Sequence, residues 1–293
     1  MRFIKHFIPL FTFLWLTGSI MYSQEGIQLP RKSPESSISY SVGYTKITIN
    51  YSAPAVKDRT IWGDLVPYGQ VWRAGANQAT TMEFSTDVMI EGKPLPAGKY
   101  AFFLIPTEEN WTAIFNSDTE QWGAYAYDES KDVLRVEIEP KSSRISEERL
   151  NYGIVDQGVD RGYIRIGWEN VRLYLRFNND AIDMAETKIE EALTSGPEDQ
   201  KWVVYTQAAD FLMESEDKLD EALEMAEKST SLFSSSWNWW VKAQIHEAKG
   251  DFKSAFNCAE KSLTAGAAAE EDGFYSAMKT TIESCRDKWK TQM

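Results

Sequence analysis

Asn50–Thr81 reads NYSAPAVKDRTIWGDLVPYGQVWRAGANQATT. It starts at the end of an alternating segment and then loses all period through Pro54, Trp62, Gly63, Pro67, Gly69, Trp72 and Gly75. It passes Arg73 and Asn77 and closes on threonines. An ordered loop this long needs hydrophobic anchors of its own, and the two tryptophans can supply them. Upstream, Ile47, Ile49 and Tyr51 alternate with Lys46, Thr48 and Asn50; downstream, Met82 and Phe84 alternate with Thr81, Glu83 and Ser85. Period two with one apolar side is a strand with one buried face.

The pattern extends in both directions. Residues 24–36 are polar, carry Pro30 and Pro34, and read as a linker; strands begin at Ser37. Val88–Ile90 leads through a turn-rich link, residues 91–98, to the apolar run Tyr100–Ile105. Trp111–Phe115 follows, then Leu134, Val136 and Ile138 alternating with charged residues, then Leu150–Ile154, Tyr163–Trp168 and Val171–Phe177. Seven to nine short strands with Gly, Pro, Asn and Asp turns and no helical period between them predict an antiparallel β-sandwich over residues 37–178.

Within the opening stretch, Asp58–Gly63, Leu65–Gly69 and Val71–Asn77 together resemble domain-of-unknown-function family 2911. The likeness continues at Phe84–Asp87, at Gly92–Lys93 through Pro96–Tyr100, at Trp111–Asn116 and at Gln121–Tyr125 through Tyr127–Asp128. It implies a secreted bacterial protein, mostly of Bacteroidota type. It brings no reaction, because the family's function is unassigned.

After Asn178–Asp180 the period becomes helical and glycine becomes rare. Ile182, Ala185, Ile189, Ala192 and Leu193 share one helix face, and Gly196–Pro197 ends that helix and starts another. Leu219–Ser229 aligns with Phe252–Ser262 at an offset of 33, matching Ala222 to Ala255, Ala226 to Ala259 and Ser229 to Ser262. With Ala243 and Trp239 at the small and large positions of the intervening helix, residues 179–293 look like tetratricopeptide (TPR) helical hairpins, with Ala268–Trp289 as a capping helix.

Residues 1–23 read as a signal peptide: Arg2 and Lys5, a short apolar run from Phe7 to Leu16, then small residues up to Ser23. The run is too short to span a membrane, and no second apolar run of spanning length follows. The chain is expected to be exported, to the periplasm or beyond. Net charge is −13, and the expected signal peptide removes only basic side chains, so nucleic acid is not an expected partner. The two cysteines, Cys258 and Cys285, either bridge neighbouring helices or stay as two buried thiols.

The residues present limit the chemistry. One histidine, His246, follows the signal peptide, and the β part has neither histidine nor cysteine. That removes nucleophile–histidine catalysis and His/Cys zinc sites from the β part. No cofactor or metal motif is found. Asp58, Asp64, Asp87, Asp128 and Asp132 remain for carboxylate chemistry, or serve as turn formers.

Trp62, Trp72, Arg73, Asn77, Trp122, Tyr125 and Tyr127 are candidate ligand-binding residues, since flat aromatics with a guanidinium and an amide can stack on sugars or clamp a carboxylate. The competing reading makes Trp72 and Trp122 core plugs and commits Arg73 to backbone carbonyls or a buried acid. Trp237 and Trp240 are candidate protein contacts, because adjacent indoles cannot all point inward on one helix. The function expected is exported, non-catalytic binding or scaffolding: a glycan or small ligand on the β part, protein on the helical part. The alternative is a carboxylate-dependent glycan hydrolase.

Overall fold

A computed structural model describes residues 29–293. The expected signal peptide lies outside the described residues. Ten strands are present among them: β1 (Glu35–Val42), β2 (Thr45–Ser52), β3 (Thr80–Phe84), β4 (Val88–Ile90), β5 (Lys93–Leu95), β6 (Gly98–Ile105), β7 (Trp111–Asn116), β8 (Asp132–Ile138), β9 (Lys141–Asp156) and β10 (Arg161–Asn179). One sheet has the order β1-β2-β3-β6-β7-β8 and the other β5-β4-β10-β9. Every pairing is antiparallel.

The alternation read from the sequence sets the layers. Ile47 pairs with Phe84 and Ile49 with Met82, and all four are buried. They face Ile164, Ile166, Leu173, Leu175 and Phe177 of the second sheet in one shared core. Fully burying an aliphatic or phenyl side chain contributes about 1.5–3 kcal/mol, so this shared face is what holds the sheets together. β6 reads as a continuous apolar run because both of its faces are covered. Phe102 and Leu104 point into the sandwich, while Ala101 and Phe103 pack outside with Ala79 and Ile114, beneath Val71, Ala124 and Tyr127.

Three boundaries differ from expectation. The linker of residues 24–36 does not extend to its expected end. Ala53 N–H donates to Pro34 O at 2.8 Å, and β1 starts at Glu35, so backbone pairing holds this segment on the sandwich. The link 91–98 contains β5, folded back on β4 by a turn at Glu91–Gly92 with left-handed φ at both positions. The separate strands expected between Leu150 and Phe177 are parts of the two long strands β9 and β10. Register shifts around Glu169, where φ is +51°, bend the pair without ending it.

Six α-helices follow among the described residues: α1 (Ala181–Ser195), α2 (Lys201–Leu212), α3 (Leu219–Leu232), α4 (Ser236–Ala248), α5 (Phe252–Ala268) and α6 (Gly273–Lys290). The internal repeat has a physical counterpart. Ala222, Ala226 and Ser229 on α3 are buried, as are Ala255, Ala259 and Ser262 on α5. Ser229 Oγ donates to Trp202 O of α2 at 2.8 Å, and Ser262 Oγ to Ser236 O of α4 at 2.6 Å. Small residues let each helix pair approach closely, and the serine closes each pair in the same way. Cys258 and Cys285 are free thiols.

Candidate functional site

The stretch that opened the sequence closes the sandwich with its tryptophans. Trp72 pairs through its backbone with Leu104, N–H to O at 2.7 Å and 2.8 Å in the two directions, and its Nε1 donates to Gly75 O at 3.2 Å. Its ring lies 5.7 Å from those of Trp62 and Trp168, and Trp62 lies 4.7 Å from Trp111. Trp72 is therefore core, as the packing alternative held. Ala74 adopts φ +52°, its carbonyl accepting from Tyr152 Oη at 2.6 Å and Thr80 Oγ1 at 3.0 Å. Asn77, at φ +59°, donates through Nδ2 to Ser52 Oγ and Ser33 O. Asparagine tolerates the left-handed region, and its amide is spent on the scaffold.

This scaffold brings distant residues together. Thr80 N–H bonds Arg73 O at 3.3 Å, Ala79 N–H bonds Gln121 O at 2.9 Å, and Gly123 N–H bonds Asn77 O at 3.0 Å. Arg73, Trp122 and Tyr125 thus surround one short backbone segment outside the six-stranded sheet. Trp122 is 55% exposed and Tyr125 89% exposed. Trp122 is no core plug.

Arg73 is partly buried, its Nε is fully buried without a hydrogen-bond partner, and no described carboxylate pairs with it. Burial pushes its pKa below the ordinary guanidinium value, with Tyr125 acting in the opposite direction. A buried guanidinium N–H with no acceptor is costly in a folded chain, and the terminal nitrogens beside it remain open to an anion.

Tyr127 belongs elsewhere. It donates to Asp132 Oδ2 at 2.6 Å and accepts from Arg135 Nη2 at 2.6 Å, while Arg135 Nε bonds Asp132 and Asn116 Nδ2 bonds Asp132 Oδ1. Burial first, then the Asp132 bond, pushes the phenol up to about 12. A proton held more tightly in the folded state gives stability that is complete below the ordinary value near 10 and lost as pH rises through about 12. Tyr127→Phe should therefore flatten the alkaline limb of a stability–pH curve between roughly pH 10 and 12. An unchanged limb in the variant would count against the network.

Two of the other candidate acids are similarly occupied and two are exposed. Asp87 Oδ1 accepts from Ala97 N–H, Asp128 caps a short helical turn through Ser130 N–H, and Asp58 and Asp64 sit exposed in turns. Trp240 is corrected from a surface contact to core: it is 5% exposed and stacks on Trp289 at 5.8 Å, because α6 covers that face of α4. Trp237 is half-buried against Trp202, near the exposed Leu232 and Phe233. Burial lowers the pKa of His246. Sequence reasoning passed over Trp111, Trp168 and Glu169. The first two look like ordinary strand residues, and Glu169 stands out only through its bulge.

An antiparallel sandwich with aromatic loops on one face and appended helices defines the class. Residues 33–177 match a protein-family model described as "Protein of unknown function (DUF2911)", which spans the β part. No curated protein and no solved structure matches the chain. No helix among the described residues is long and apolar enough to cross a membrane.

Proposed function

We propose that this is an exported, non-catalytic binding protein whose β part captures a carboxylate-bearing ligand at Arg73, Trp122 and Tyr125. The partnerless, partly buried Arg73 guanidinium carries this reading. A guanidinium matches a carboxylate through two parallel bonds, and exposed aromatics offer a face to the rest of a glycan or peptide. The helical part, read as TPR-like hairpins, contacts protein through the face holding Trp237, Leu232 and Phe233. For the hydrolase alternative, Asp87, Asp128 and Asp132 are engaged in hydrogen bonds or an ion pair, and Asp58 and Asp64 sit exposed in turns.

Titrating the chain from Gln24 onward with uronic-acid oligosaccharides, neutral glycans and peptides with free C-termini, read by tryptophan fluorescence, tests this. A saturable response that depends on Arg73 is expected to carboxylate-bearing compounds alone. Arg73→Ala should weaken it roughly ten- to a hundredfold, the range of one to two charge-assisted hydrogen bonds, with no loss of thermal stability. Equal binding by the variant, or no response to any acid, would sink the proposal.

A further inference from the structure

A second cleft, at the end of the sandwich where Trp62 caps the tryptophan cluster, is independent of Arg73. Its volume is about 380 Å³, within the usual range for small-ligand sites. The partly buried Trp62 and the exposed Tyr68 line it, over the buried Trp111. Trp111 is fixed by its Nε1 bond to Thr107 O at 3.0 Å, and Trp62 is held edge-on against Trp111, Trp72 and Trp168. The buried Nε1 atoms of Trp62 and Trp168 make no hydrogen bond. The floor is thus a rigid block of indole rings that does not need to be ordered by a ligand.

The charge around this floor is uncompensated. Glu108 and Glu169 line the cleft, and neither carboxylate has an ion pair or hydrogen bond among the described residues. The one cation in the lining, Lys141, is held by Glu139 at 2.5 Å. Glu169 also keeps a left-handed φ of +51° that a non-glycine residue adopts only at a cost, and the bulge it makes places it on the cleft wall. Strain of this kind concentrates at functional positions. Thr60, Ser142 and Asn170 add hydroxyl and amide groups to the lining.

We infer that this cleft binds a small organic ammonium ion carrying hydroxyl groups, the chemistry of a protonated amino sugar. The accessible rings here, Trp62 and Tyr68, attract a cation through the ring quadrupole, and two unpaired carboxylates supply the counter-charge. Hydroxyls on the ligand would exchange hydrogen bonds with the Thr, Ser and Asn side chains. A neutral sugar satisfies only the last of these, and an anion is repelled.

Glucosamine and glucose, titrated into the full chain from Gln24 at about pH 6.5, where an amine of this kind is protonated, separate the outcomes. Saturable quenching of tryptophan fluorescence is expected with glucosamine, and binding about tenfold weaker or undetectable with glucose. The double variant Glu108→Gln, Glu169→Gln should melt at the temperature of the parent chain and lose that preference. Arg73→Ala should keep it, which makes failure here distinguishable from failure of the carboxylate site. No response to glucosamine, equal affinity for glucose, or an unaltered preference in the double variant would each overturn the inference.

Discussion

Trp72→Ala is expected to lower the unfolding free energy by about 3–5 kcal/mol, the range for truncating a large buried aromatic. Several observations place it at the top of that range. The ring is 9% exposed and is stacked on Trp168, with Trp62 edge-on to it. Truncation therefore opens a cavity in a wall of rings too rigid to collapse into it. The Nε1 bond to Gly75 O also disappears, leaving a buried carbonyl without that donor. Because Trp72 pins the loop to Leu104 just before Arg73, the variant should lose ligand affinity along with stability, unlike Arg73→Ala. Urea unfolding followed by far-UV circular dichroism gives the measurement. A loss below about 1 kcal/mol would mean that the loop is not anchored by this ring.

How far the sequence could reach is visible at particular residues. Where one face of a strand is solvated, alternation reveals it: Ile47/Ile49, Met82/Phe84 and Leu134/Val136/Ile138 are buried with the parity read from the sequence. β9 and β10 show in the sequence only as shorter pieces because a bulge breaks the period at Glu169 while the hydrogen-bonded ladder continues past it. The Ala-Ala-Ser repeat was legible because close helix approach demands small residues at fixed spacing. The name of the repeat family does not follow from that spacing.

The site was legible in composition but not in geometry. Arg73, Trp122 and Tyr125 stand out in the sequence by their chemistry, and they meet only because residues 77–79 bond to residues 121–123 across more than forty residues of chain. Nothing local distinguishes Trp122, which is exposed, from Trp72, which is buried. Likewise Trp237 and Trp240 differ only in what covers them, and the covering helix α6 lies far along the sequence. Burial of an indole is a property of its partners, so a single stretch cannot assign it.

Gly43→Ala should be severely damaging for a single added methyl, destabilising the chain by about 3 kcal/mol or more. Gly43 occupies the turn between β1 and β2 at φ +55°, which by itself costs a non-glycine residue about 1–2 kcal/mol. Space adds to that. A Cβ would stand 2.3 Å from Val159 O and 2.5 Å from Ala181 Cβ. Neither is the free end of a flexible side chain: one is backbone of the β9–β10 turn, and the other belongs to the first residue of α1. The same corner is closed by Asn179, whose Nδ2 donates to Val42 O and whose Oδ1 accepts from Ala181 N–H, each at 2.9 Å. The extra methyl must therefore push the first hairpin away from the helix that begins the second half of the chain. Asn179→Ala removes two hydrogen bonds but adds no clash, and should cost less, about 1–3 kcal/mol. Thermal unfolding of both variants, followed by tryptophan fluorescence and far-UV circular dichroism, decides between local and shared damage. If the sheet corner supports α1, Gly43→Ala lowers both transitions together and by more than Asn179→Ala. A variant within about 0.5 kcal/mol of the parent would show that the turn does not bear on the helix.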